Sequence, residues 1–216
     1  MVHLDEKDPA PAVEMERDLD LVVFGATGTV GELVCEHIAR EYPGVFTWAM
    51  AGRSHDKLEC VAKSLRDIHP ECDPHILVCD ATDQEAVDAV ISRTRAVIST
   101  TGPFMRNSRS IAEACARLGT DYFDVAGEPN FVRWSVEHLS DKARQSGARL
   151  VHMAGFDAVP ADMGTYHIVT HIRNQGLLPG KVHAVPGSIR GGISGGTLNT
   201  VVAMFDDFSV PGDEGS

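Results

Sequence analysis

Short apolar runs alternate with longer amphipathic stretches through most of this chain. Leu21-Val22-Val23-Phe24 is the first run, closed by Gly25. Over residues 30–41, Val30, Leu33, Val34 and Ile38 share one side of a helical period, while Glu32, Glu36, Arg40 and Glu41 fall elsewhere. That spacing predicts a helix. Residues 46–51 form a second apolar run, followed by a helical stretch through Leu58, Val61, Ala62 and Leu65. Residues 76–79 are a third, ended by Asp80 and followed by a helix through Ala86, Val87, Val90 and Ile91. Ala96-Val97-Ile98 is the fourth, before a helix over 111–118 whose Gly119 suits a C-terminal cap. Residues 122–125 and 150–153 are the fifth and sixth runs, separated by a helix over 131–143. Strands without polar alternation, joined by helices, predict a parallel sheet covered on both faces. The expected fold class is therefore α/β, a doubly wound Rossmann sheet over residues 19–155.

After Phe156 the pattern changes. Residues 163–172 read as a helix, 181–185 as a strand, 187–196 as a glycine cluster and 201–205 as a short apolar helix, before a polar tail. Residues 156–216 thus read as the start of an incomplete second α+β domain that would serve the substrate. Residues 1–18 read as a disordered acidic leader, rich in Asp and Glu with Pro9 and Pro11 between. Exposed Val201, Val202, Met204 and Phe205 would invite a homodimer.

Composition narrows the partners. With 31 acidic against 19 basic residues the formal charge is −12, which argues against nucleic acid. A local pocket can still attract a small anion against that field. The leader lacks the basic start and apolar stretch of a signal peptide, and no run approaches the ~18 apolar residues of a membrane helix. Five cysteines without a C-x-x-C spacing read as reduced, buried small residues, and the ten histidines show no metal-ligand spacing. These features predict a cytoplasmic protein without metal.

The strongest chemical signal is Gly25-Ala26-Thr27-Gly28-Thr29-Val30-Gly31, which follows the first strand and opens the first helix. Gly25 permits the tight turn, Gly28 lets backbone N–H groups approach a pyrophosphate, and Gly31 lets helix pack on sheet. The end of the second strand selects the dinucleotide. An NAD binder offers an acid there for the ribose 2′-OH. Here Gly52-Arg53-Ser54 stands instead, with Lys57 one turn further, a cationic corner suited to a 2′-phosphate. NADP(H) is the expected cofactor. Asp80, ending the third strand, either approaches the adenine or caps the next helix. Thr101-Gly102-Pro103 ends the fourth strand at the sheet's carboxyl edge, where a stiff turn would lie beneath the nicotinamide.

Six ordered blocks resemble a known family. They are Phe24-Gly25-Ala26-Thr27-Gly28, Ala51-Gly52-Arg53-Ser54, Thr101-Gly102-Pro103-Phe104, Ala114-Cys115 with Gly119-Thr120-Asp121-Tyr122, Gly127-Glu128 with Phe131-Val132-Arg133, and the run Gly155-Phe156-Asp157-Ala158-Val159-Pro160-Ala161-Asp162. Together they look like the saccharopine dehydrogenase-like oxidoreductases, including the trans-acting enoyl reductases. Ser194-Gly195-Gly196-Thr197 fits too. The resemblance implies an NADP(H)-dependent hydride transfer on a small-molecule or lipid-linked acyl or carbonyl substrate. It also implies, for some members, peripheral association with a membrane, lipid droplets or mitochondria. Asn107-Ser108 departs from the family, whose members carry an aromatic–Gly pair there.

Proton donors should come from strand ends on the carboxyl edge. Glu128 and Asp157 are the candidate catalytic residues, each in a glycine-flanked turn, with helix capping as the structural alternative. His152, Tyr122 and Trp134 read as packed side chains. A short-chain dehydrogenase is excluded, because Tyr42, Tyr122 and Tyr166 are followed four residues later by Phe46, Ala126 and Thr170, never by lysine. A doubly charged amino-acid substrate would need a basic pocket, and only Arg173, Lys181 and Arg190 follow Phe156. The alternative from another class is an NADP(H)-binding redox sensor or scaffold without turnover.

Overall fold

A computed structural model describes residues 17–185 together with Gly187 and Gly195. Six strands run in chain order: β1 (Leu19–Phe24), β2 (Trp48–Gly52), β3 (His75–Val78), β4 (Thr94–Ser99), β5 (Asp121–Asp124) and β6 (Leu150–Val151). They form one sheet in the order β3-β2-β1-β4-β5-β6, parallel at every junction. The order reverses between β1 and β4, and a crevice opens there at the carboxyl edge.

Among the described residues the helices are α1 (Thr29–Glu41), α2 (His55–Ile68), α3 (Gln84–Ile91), α4 (Phe104–Asn107), α5 (Arg109–Leu118), α6 (Pro129–Ser146) and α7 (Val159–Asn174). Alternation along β1 explains why both sheet faces are covered. Val22 and Phe24 join a core with residues of α3, α5 and α6, while Val23 joins another with Cys35, Ile38 and Leu58 of α1 and α2. All three β1 side chains are essentially inaccessible.

Local signals end the elements as their chemistry requires. Gly119 and Gly147 close α5 and α6 with φ of 72° and 81°, a left-handed conformation that glycine adopts without strain. Asp83, not Asp80, caps α3, accepting from the N–H groups of Glu85 and Ala86. Arg17 and Asp18, read as part of the leader, are held at the amino edge. Arg17 donates to the carbonyls of Thr94, Leu118 and Gly119, and Asp18 pairs with Arg93.

Three departures from the sequence pattern have physical reasons. The four-residue α4 is too short to carry a period. β6 is only two residues long, because Met153 turns the chain at φ 56° and gives its N–H to the Asp124 carboxylate rather than to a strand carbonyl. Residues 181–185, read as a strand, form none: all five are exposed and no neighbouring strand pairs with them. The helix expected over 201–205, most of the glycine cluster and nearly all of the leader lie outside the described residues. α7 buries none of its residues, and Phe156 before it is 77% exposed.

Candidate functional site

The carboxyl ends of β1, β2 and β4 bring three separate sequence motifs to one crevice. At the end of β1, Gly25 turns the chain with φ 78°, its N–H donating to the Ala51 carbonyl of β2. Gly28 stands at the N-cap of α1 without a side-chain acceptor, so the first-turn N–H groups are left for an incoming anion. Gly31 is buried directly against the turn: a Cβ there would stand 2.1 Å from the Gly25 carbonyl oxygen. Ala26 is buried too, while Gly28, Thr29 and Val30 are exposed and Thr27 is half-buried. The turn therefore presents a backbone surface with little side-chain bulk over the helix start.

At the end of β2, Arg53 is exposed and Ser54 caps α2, its Oγ accepting from the Lys57 N–H at 3.4 Å. Lys57 is exposed in the first turn of α2. Across from them Asp80 forms a local turn, its Oδ1 accepting from the N–H and hydroxyl of Thr82 at 2.9 and 2.8 Å. Those bonds, with a smaller contribution from the Arg53 charge, hold the Asp80 carboxyl below the usual range. The corner thus holds Arg53 and Lys57 with Asp56 and Asp80 beside them, and a guanidinium rather than an acid directly follows the strand, which fits a ribose carrying a 2′-phosphate.

At the end of β4 the Thr101–Phe104 turn contains a cis Gly102–Pro103 bond and leads into α4. Thr100 Oγ1 donates to the carbonyls of Phe24 and Gly25 at 2.9 and 3.2 Å, which ties this turn to the glycine turn. The hydroxyls of Ser99, Thr101 and Ser108 form a triangle with sides of 2.7–2.9 Å. Asn107 Nδ2 donates to the Gly102 carbonyl at 3.0 Å. Asn107 and Ser108, the pair that departs from the family pattern, are therefore the residues that pin this turn. Nothing periodic marks Thr100, Asn107 or Ser108; Asn107 and Ser108 stood out in sequence only as a departure from the family pattern, and Thr100 only by its closeness to Gly102-Pro103.

The two carboxylates singled out for proton transfer occupy unlike places. Glu128 is 2% exposed, and its oxygens accept from the N–H groups of Phe104 and Met105 at 2.7 and 2.9 Å. It stands at the N-cap of α6 but caps α4 instead. Asp157 is exposed, and a Cβ on Gly155 or Gly127 would lie 3.3 or 3.9 Å from its oxygens. It does not cap α7, whose N-cap is Ala158.

Behind them Asp124 is buried and satisfied by the N–H groups of Ala126 and Met153 and by His152 Nδ1 at 2.6 Å. His152 packs against Tyr122 and Phe131, as expected of a core histidine. Burial, helped by the nearby Asp124 charge, raises the Tyr122 phenol well above its ordinary range, so it stays protonated at neutral pH. Burial likewise pushes the Cys79 thiol up to about 11 and Cys35 up to about 12, leaving neither as a thiolate at neutral pH. Among the described residues no cluster of three His, Cys, Asp or Glu is arranged for a metal, and no helix is long and apolar enough to cross a membrane.

Comparison with known proteins agrees with this geometry. Residues 21–151 match the saccharopine dehydrogenase NADP binding domain. A Mycobacterium tuberculosis relative, named provisionally as a trans-acting enoyl reductase, is 37% identical over 196 residues, covering 89% of this chain and 46% of its own. A trans-acting enoyl reductase of Mycobacterium leprae is 36% identical over 157 residues, covering 73% of this chain and 37% of that one. The chain thus spans less than half the length of these relatives. Among solved structures, apo saccharopine dehydrogenase (L-Glu forming) from Saccharomyces cerevisiae superposes with a TM-score of 0.59 at 16% identity, over 73% of this chain and 32% of that one. That likeness carries the fold. With the glycine turn, the cationic β2 corner and a match over most of the sheet in hand, the chain belongs to the saccharopine dehydrogenase family and carries its NADP(H)-binding domain.

Proposed function

We propose that this protein is an NADP(H)-dependent oxidoreductase that acts on a lipid-linked acyl or carbonyl substrate. The observation that carries the reading is the convergence of an uncapped glycine turn, a cationic corner and a pinned turn at the carboxyl edge. When bound, the cofactor supplies or accepts a hydride. The chain's own groups do the rest. Gly28 and the first-turn N–H groups of α1 hold the pyrophosphate, Arg53 and Lys57 the 2′-phosphate, with Ser54 and Asp80 framing the adenosine end. Thr101, Gly102 and Pro103 hold the nicotinamide end.

Asp157 is the carboxylate we assign to proton transfer, because it is exposed while both Glu128 oxygens are engaged. Phe156, open beside it, offers an apolar wall that suits an acyl chain. The names of the relatives support an enoyl substrate. A panel of enoyl and carbonyl thioesters, followed by NADPH absorbance, tests the assignment. Oxidation should fall by about 10²-fold or more in Asp157→Asn while NADPH affinity stays unchanged. A variant with full turnover would remove Asp157 from the mechanism.

A second reading, binding without turnover, draws on α7. None of its residues is buried, so the described residues alone do not exclude water from the crevice. Saturable NADPH binding with no oxidation across the whole panel would favour it.

The cofactor assignment carries its own prediction. A charge-assisted phosphate contact contributes about 1.5–3 kcal/mol. Arg53→Ala should therefore weaken NADPH binding roughly tenfold or more while scarcely changing NADH. Equal losses for both would separate Arg53 from the 2′-phosphate.

A further inference from the structure

Glu128 reaches across 24 residues of sequence to a turn that its own helix does not need. Its carboxylate is nearly inaccessible, and a buried carboxylate is costly unless its oxygens are satisfied. Both are met by backbone donors, the N–H groups of Phe104 and Met105. These are the donors that the start of α4 leaves unpaired, since Pro103 at its N-cap supplies no side-chain acceptor. At the N-cap of α6, where an acceptor would ordinarily serve the following helix, the Glu128 side chain makes no capping bond.

The turn so held is also gripped from its other side. Asn107 holds the Gly102 carbonyl, and the Ser99–Thr101–Ser108 triangle holds Thr101. Thr100 sets the whole segment in register with Gly25. Charge-assisted bonds at 2.7 and 2.9 Å are the strongest members of this set.

We propose that Glu128 is the positioning residue for the nicotinamide half of NADP(H): its buried carboxylate fixes the Gly102-Pro103-Phe104 turn at the height that half requires. The proposal rests on the cofactor reading above and deepens it. Glu128 itself touches neither cofactor nor substrate. Its effect is confined to one end of a long ligand, while Arg53, Lys57 and the glycine turn bind the other. A residue that merely supported the fold would affect both ends alike.

Adenosine 2′,5′-bisphosphate, which carries only the far half, separates the cases. Calorimetry on the unmodified chain, Glu128→Gln and Asn107→Ala should give bisphosphate affinities within about twofold of one another. NADPH affinity should fall at least about tenfold in Glu128→Gln, which keeps one acceptor and replaces the other by a donor facing an N–H. Asn107→Ala, which releases the same turn without disturbing the buried carboxylate, should lose NADPH in the same selective way. Bound-NADPH fluorescence should shift toward that of the free cofactor in both. Parallel loss of both ligands, or loss of neither, overturns the proposal. Failure of the unmodified chain to bind the bisphosphate overturns the cofactor reading itself, and this proposal with it.

Discussion

Gly28→Val should cost most of the NADPH affinity and leave the fold standing. Gly28 has φ −91° and ψ 160°, an extended conformation open to any residue, so no backbone strain follows the change. Its position is exposed, and the nearest atom to an added Cβ is the Gly25 carbonyl oxygen at 3.3 Å, a contact relieved by a small shift. The protein can therefore accept a side chain here. The pyrophosphate cannot, because a branched side chain would fill the approach to the N–H groups of α1. The expected loss is about 100-fold or more in NADPH affinity, equal to about 2.7 kcal/mol. The melting temperature should move by only a few degrees, as for a surface change of about 0.5 kcal/mol. Calorimetry and a thermal melt on one sample read both. Intact NADPH affinity would put the binding site elsewhere.

Alanine at position 31 has the opposite signature, although the two glycines belong to one motif. An added Cβ would stand 2.1 Å from the Gly25 carbonyl oxygen, 2.7 Å from its carbon and 2.8 Å from Ala26 Cα. Every obstructing atom is backbone, so no side chain can swing away. Helix α1 would have to lift from the end of β1, opening the layer in which Val23, Cys35 and Ile38 are buried together. Overpacking typically costs about 1–3 kcal/mol, and a rigid obstacle puts this case at about 3 kcal/mol or beyond. Urea denaturation should show that loss of stability, with NADPH binding reduced as a consequence of the displaced turn. Gly31→Ala with unchanged stability would contradict the packing of α1 on the glycine turn.

Much of this architecture was legible because it is periodic. The apolar runs at β1 and β2, whose residues face buried layers on both sides, announced a doubly covered sheet, and the helical spacing of Leu58, Val61, Ala62 and Leu65 announced α2. The glycine turn was legible because strand, turn and helix are contiguous. What stayed hidden depends on contacts between distant segments. Nothing near Glu128 says that its oxygens serve Phe104 and Met105, and nothing near Arg17 says that it closes the carboxyl end of α5. Asp80 was the one cap the sequence reading offered for the helix after β3, and the geometry gives that place to Asp83. Residues 181–185 carry strand-like apolar positions, yet a strand exists only where an edge receives it.

The switch point between the ends of β1 and β4 should hold NADP(H) in preference to NAD(H). Calorimetric titration of the unmodified chain with NADPH and with NADH tests it most directly. NADPH should bind saturably and one-to-one, tighter than NADH by about tenfold or more, in keeping with a charge-assisted contact at Arg53. No heat of binding with NADPH, or equal affinity for the two cofactors, would contradict it.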